Sequence, residues 1–598
     1  MTFKRSQSML LSLLAVALLL NSAAADRPSS PDLLPEATLV CVRVPDVAEM
    51  KERFGETAAG AIARNEKINA LGQQLYGSAV EAFGPVKERV GVSLDELLAV
   101  PKGELCVSLV ALEEGPPVLV VIMDVGDDSR AADTLVERGV AMLDNVGATR
   151  SAETIGDTRV IVYTDPDNHQ RNIVHFKRDG TYVVTTSEDV AKSILARWDD
   201  KADEEDETLS DNRRYTTIMN RCRGTKDERP HVTWFANPIE LAKVATRGNT
   251  GAQIGLAILP ALGIDGIQGF GGSFIYAPED FDAIIHAHLL LDSPRAGVIE
   301  LVTFGNGDTS PESWVPTDTY SYTTFHYDFE KSFNKVQSLF DSFNGDDALK
   351  DILKRRVNDR VGVDLMEDII GQLDGRVSIV SWFEPPARIN SQVNLVALKL
   401  KDEDAARKTM EKLLEQVPED RIEEVTHGGV TFFTGTPRQR RERPDAERRI
   451  EFRRPQPCVA IVDDYLMLTG SRNFLEHVIN SRSDANVTLA NEDDFETVET
   501  RIKRHLAGER PSLVHFNRPN KGLKLIYDVV TAESTRERMT LWSEDNPFIR
   551  TVNTALNDNP LPDYEEISRF IAPGGGIITD DDTGIHYIGF ALKGDYED

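Results

Sequence analysis

Apolar and polar residues alternate from Pro35 to Val44, the two-residue period of a half-buried strand, and Pro45-Asp46 then mark the start of a helix. Pro316 to Phe325 reads the same way and again runs toward an aspartate, Asp328. From Leu209, the sequence Leu-Ser-Asp-Asn-Arg-Arg-Tyr-Thr-Thr-Ile-Met predicts a capped helix, and His231-Val-Thr-Trp-Phe-Ala-Asn-Pro238 predicts a strand that hands over to another helix. The phrase returns as Leu489-Ala-Asn-Glu-Asp-Asp-Phe-Glu-Thr-Val498, followed by Ser512-Leu-Val-His-Phe-Asn-Arg-Pro519. Tyr215 answers to Phe495, Ile218 to Val498, Phe235 to Phe516 and Pro238 to Pro519, at an offset of about 280 residues.

Further anchors keep that order. Tyr182 to Ser187 and Tyr465 to Ser471 each predict a strand ending at a Ser that caps the next helix. Gly271-Gly272 ahead of the strand Asp282 to Leu291 corresponds to Gly574-Gly575 ahead of the strand Gly584 to Leu592. From Asp402 to Glu415, the apolar positions Ala406, Met410, Leu413 and Leu414 form one core-facing helical stripe. Strands and helices mix without strict βαβ alternation, which predicts an α+β fold of two homologous tandem halves, each a largely antiparallel sheet with packed helices. The expected division is a signal peptide at 1–25, a linker at 26–34, a first repeat at 35–310 and a second at 311–598 with an Arg-rich hairpin insertion at 437–455.

The address comes from the N-terminus. Lys4 and Arg5 precede the apolar run Met9 to Leu20, and Ala23-Ala24-Ala25 supplies the small residues of a cleavage site. The run is about a dozen residues, against roughly 20 for a membrane span. The expectation is export through a cleaved signal peptide to the periplasm or the exterior, with no transmembrane span in the mature chain. Four cysteines at spacings that match no zinc or redox motif leave any disulfide pairing open. A net charge of −31 argues against nucleic acid or an anionic membrane surface as partner.

Candidate chemistry is sparse. Gly263 to Gly272 lacks the Gly-Lys-Ser/Thr end of a phosphate-binding loop and reads as a turn into a strand. Ile254 to Leu262 is apolar and short, which predicts a buried core segment over a membrane-seeking or partner-binding helix. His286 and His288 share one strand face and could present two imidazoles to a metal, but a third ligand is needed. Asp580 to Gly584 reads as a polar hairpin tip, since the rest of a calcium loop is missing. No nucleophile elbow, Cys/His signature or His-Glu-x-x-His motif is present, so no catalytic, cofactor or metal residue is nominated. The most distinctive local feature is the run Arg438, Arg440, Arg441, Arg443, Arg448, Arg449, Arg453 and Arg454. Its guanidinium groups suit an anionic envelope component or an acidic protein partner.

The Pro-x-x-Thr strand start at Pro35 and Thr38, and the Leu-x-Asx-x-x-x-aromatic helix at Leu209, Asp211 and Tyr215, resemble those of a family of exported bacterial proteins whose domain has no assigned function. The resemblance touches both halves and implies an exported, duplicated α+β protein; it carries over no catalytic residue. The leading expectation is a non-enzymatic binding or envelope-organising module without a cofactor. The alternatives are a periplasmic carrier of a lipid or other apolar ligand, and a hydrolase whose site is assembled from residues distant in sequence.

Overall fold

The computed structural model describes residues 27–66, 68–69, 99–126, 129–145, 147–166, 172–203, 206–224, 229–302, 304–388, 390–436, 452–482, 488–505, 510–544 and 546–596. The expected signal peptide and most of the Arg-rich insertion lie outside these residues. The fold is mixed α+β, and its sheet pairings are antiparallel, as alternating strands joined by tight turns require. The chain forms two compact units. One comprises the described residues within 27–48, 99–216 and 234–236, and the other the described residues within 49–69, 217–233 and 237–596.

The first unit is built on β1 (Thr38–Val44), β2 (Leu105–Val110), β3 (Val118–Asp124), β4 (Thr149–Ile155), β5 (Thr158–Thr164), β6 (Asn172–Arg178) and β7 (Thr181–Thr185). They pair in the order β1–β2–β3–β7–β6–β5–β4. Alternate residues turn inward, so Val118, Val120 and Ile122 are buried on one face of β3. The helix Glu188–Trp198 packs on β6 and β7, burying Val190, Ala191, Ile194 and Leu195. Its first turn is closed by the Ser187 hydroxyl, which accepts from Val190 N at 3.4 Å.

Strand β8 (Val232–Ala236) leads to the second unit, which contains β9 (Ile267–Tyr276), β10 (Phe281–Leu291), β11 (Phe304–Gly305), β12 (Ser321–Tyr327), β13 (Leu373–Phe383) and β14 (Gln392–Leu400). It continues with β15 (Ile422–His427), β16 (Val430–Gly435), β17 (Cys458–Val462), β18 (Tyr465–Thr469), β19 (Leu513–Asn517), β20 (Ile571–Asp581) and β21 (Gly584–Lys593). One run pairs as β12–β13–β14–β18–β17–β16–β15, and the other as β12–β19–β20–β21–β10–β9. Trp314, Tyr322, Phe432, Phe474 and Phe516 fill the core at 1% exposure or less. Each large side chain buried in this way contributes roughly 1.5–3 kcal/mol. Helix Asp493–His505 lies close against β20, where a Cβ on Gly575 would sit 2.7 Å from Val498.

The connectivity β1–β2–β3–β7–β6–β5–β4 recurs strand for strand as β12–β13–β14–β18–β17–β16–β15. Local details recur too. Isolated bridges join Pro35 to Thr208 and Pro316 to Thr488. Leu209 N donates to Leu34 O at 2.8 Å, and Leu489 N to Val315 O at 3.0 Å. Tyr215 meets Phe235 edge-on with ring centroids 5.5 Å apart, and Phe495 meets Phe516 at 5.2 Å. The stripe Ala406, Met410 and Leu414 packs with Leu373, Leu400 and Ile461, as its spacing predicts. The segment 254–262 departs from expectation: Ile254 is 63% exposed and Ile258 47%, because its two short helices carry apolar side chains without turning them into the core.

Candidate functional site

In the second unit the loop Pro316–Tyr320 enters β12, and β13 ends in Trp382 and Phe383 before Glu384-Pro385. With helix Pro519–Thr531 and helix Tyr564–Ser568 these segments line an open cleft of about 500 Å³. Gly522 allows the longer helix to lie against Tyr320, whose ring would be 3.3 Å from a Cβ there. Tyr320 in turn meets Phe383 at 4.6 Å between centroids. Arg518, just ahead of that helix, donates to both Asp494 oxygens at 2.6 Å and to the carbonyls of Thr317 and Thr319. It thereby fixes the loop that presents Asp318.

Asp318 is held by two side-chain hydrogen bonds. One oxygen accepts from His477 Nε2 at 2.7 Å and the other from Trp382 Nε1 at 2.8 Å. Burial alone would raise its pKa, but these two hydrogen bonds outweigh burial and hold the carboxyl below the usual range. Trp382 stacks on His477 at 5.2 Å and on Phe474 at 5.3 Å. Glu384 accepts from Ser471 Oγ at 2.7 Å and Asn473 Nδ2 at 2.8 Å. Lys524 pairs with Asp528 at 2.6 Å and lies over the Tyr564 ring at 5.1 Å. Burial pushes the Tyr564 hydroxyl up to about 12.

Lys521 differs from these. Its ammonium is half-buried, and burial followed by the Arg518 guanidinium pushes its pKa down, with Asp318, Asp494 and Glu492 opposing. Among the described residues its ammonium has neither a hydrogen bond nor an ion pair. A cation held at the edge of an aromatic wall can accept a negatively charged group whose apolar body rests on Trp382, Phe383 and Leu525. None of these residues was nominated from sequence. They come from positions 318 to 568, and the signal that could have found them is a Trp beside Glu-Pro-Pro at a strand end.

The histidines expected to share a strand face do so. His286 and His288 are buried on β10, and β21 brings His586 beside them, supplying the third imidazole missing from the sequence reading. His286 Nδ1 and His586 Nε2 are 3.4 Å apart, and His288 meets His586 at 5.6 Å between centroids. Burial, then the Arg221 charge, pushes His288 down to about 4; burial and the neighbouring imidazoles push His586 down to about 3. All the same, among the described residues no three His, Cys, Asp or Glu side chains are arranged to hold a metal ion. The hairpin tip at Asp582-Thr583 is formed as expected, yet Asp580 beside it is buried against Arg295. Of the arginine run, Arg438, Arg440, Arg441, Arg443, Arg448 and Arg449 lie outside the described residues. Arg454 is exposed, whereas Arg453 donates to Gly470 O at 2.7 Å and lies 3.4 Å from Glu384.

Two ion clusters, each centred on a buried charged side chain, stand beside β1–β2 and β12–β13. In the first, Glu104 accepts from Arg27, Arg43 and Ser30 N. In the second, Arg376 reaches Glu312 at 3.1 Å and Asp308 at 3.2 Å, and donates to Ser310 O. No family model, curated protein or solved structure matches the chain. The resemblance to the exported bacterial family therefore rests on its motif residues. No helix among the described residues is long and apolar enough to cross a membrane.

Proposed function

We propose that the protein is an exported, duplicated binding module, and that the cleft lined by Asp318, Trp382, Lys521, Lys524 and Tyr564 is its ligand site. The ligand class is a small organic anion, or an acidic side chain of a partner, with a flat apolar body. The observation that carries this is Lys521: a half-buried ammonium without a hydrogen-bond or ion-pair partner among the described residues, next to an aromatic wall. The recurrence of strand pairing supports the duplication. Trp314, Tyr322, Phe432, Phe474 and Phe516 fill the core of the second unit, which counts against an apolar ligand held inside that unit.

The test is titration of the full chain with anilinonaphthalene sulfonate, an aromatic anion, followed by fluorescence. Lys521→Gln and Trp382→Ala should each weaken binding at least tenfold, a loss of about 1.4 kcal/mol. Unchanged affinity in both variants, with the fold intact by circular dichroism, would reject the site.

A further inference from the structure

Cys41 on β1 and Cys106 on β2 are both buried, at 2% and 1% exposure, and their sulfurs are 3.6 Å apart. The register sets this approach. Cys41 faces Ser108 and Arg43 faces Cys106, so the two cysteines are diagonal neighbours on one face of adjacent antiparallel strands. A disulfide needs a sulfur separation of about 2.0 Å, so side-chain rotation together with a local adjustment of the strand pair has to supply the rest. The other two cysteines lie elsewhere: Cys222 is close to Gly271 O, and Cys458 donates to Thr434 Oγ1 at 3.3 Å. At the positions corresponding to Cys41 and Cys106, the β12–β13 pair carries Tyr322 and Ser378, so the arrangement belongs to the first unit alone.

We propose that Cys41 and Cys106 form a structural disulfide when the chain folds in an oxidising compartment, a step that rests on the export reading above. Either thiol can begin the exchange, and Cys106 is taken as the first. The Cys106 thiolate attacks one sulfur of an oxidant disulfide, and the oxidant's other sulfur leaves as a thiolate. The deprotonated Cys41 then attacks the Cys106 sulfur of that mixed disulfide and displaces the second oxidant thiolate. Two protein thiols lose two electrons and two protons, and one oxidant disulfide becomes two thiols. Because both sulfurs are covered in the folded unit, the exchange occurs while β1 and β2 are pairing.

The experiment refolds the full chain in a reduced and oxidised glutathione buffer, denatures it, alkylates free thiols, and maps peptides by mass spectrometry with and without prior reduction. The expected result is a cross-linked pair of peptides containing Cys41 and Cys106, with Cys222 and Cys458 alkylated without reduction. Four alkylated cysteines, a glutathione adduct, or a cross-link to either other cysteine would overturn the proposal. Thermal melting adds a second readout. The loop closed spans 65 positions, and the oxidised chain should melt roughly 5–10 °C above the reduced one. That difference should vanish in Cys41→Ser and in Cys106→Ser. Binding of anilinonaphthalene sulfonate at the Lys521 cleft is read separately, so failure of either proposal leaves the other standing.

Discussion

The ion clusters beside β1–β2 and β12–β13 occupy corresponding places with opposite polarity. Arg27 precedes Cys41 by the same interval that separates Asp308 from Tyr322, and Glu104 precedes Cys106 as Arg376 precedes Ser378. The cation–anion pair Arg27–Glu104 is thus matched by the anion–cation pair Asp308–Arg376. Both places hold a charged pair, and the sign at each position is exchanged between them. The two clusters differ in how the charge is neutralised. Glu104 is shared by two guanidiniums that are 11% and 22% exposed and so keep partial contact with water. Arg376 and Glu312 are each only 6% exposed, so each depends on the other, while Asp308, at 68%, stands in solvent. Burial works against the Arg376 charge, and Glu312 overcomes that and holds the guanidinium charged.

The sharpest way to break the comparison is Arg376→Ala, which strands the Glu312 carboxylate beside Tyr322 and Ser378. It should cost about 3–5 kcal/mol, seen as a lowered urea midpoint and faster hydrogen exchange in β12 and β13 but not in β1 and β2. Glu104→Gln should cost less, about 2 kcal/mol near neutral pH, since Arg27 and Arg43 can rehydrate. Its effect is pH-dependent with a definite sign. Burial would raise the Glu104 pKa, but Arg43 and Arg27 lower it, so its contribution is present above the unfolded carboxyl pKa and is lost as pH falls through the folded value. The gap in urea midpoint between wild type and Glu104→Gln should therefore close on acidification below that value; a gap that persisted would show that packing, not charge, is lost. The smallest effect is expected for Asp308→Asn, within about 0.5 kcal/mol, because an exposed partner adds little. A loss matching that of Arg376→Ala would mean that Asp308, not Glu312, is the essential counter-ion.

Much of the fold was legible because it is written in local pattern. The alternating strand read from Pro35 to Val44, the Ser187 and Ser471 caps, and the repeated Tyr215–Phe235 and Phe495–Phe516 contacts each depend on residues close in sequence or spaced regularly. The segment 254–262 was misread because apolar content alone does not say which way a short helix faces. The cleft was invisible for a different reason. Asp318, Trp382, His477 and Lys521 come together only through the order of strands β12, β13 and β19, and no spacing rule connects them. His586 shows the same limit, since its place beside His288 depends on a pairing between strands about 300 residues apart.

That last pairing also bears on how the chain folds. Strand β10 is flanked by β9 on one side and by β21 on the other, and β21 begins nearly 300 residues after β10 ends. During folding, the chain from Asp292 to Thr583 must be closed into a loop before the second edge of β10 can be covered. Until then a strand carrying Ile284, Ile285, Leu289 and Leu290 presents unpaired backbone groups to its surroundings. The folding protein therefore has a long interval of vulnerability to wrong partners, and a chain cut short before Gly584 keeps a sticky edge.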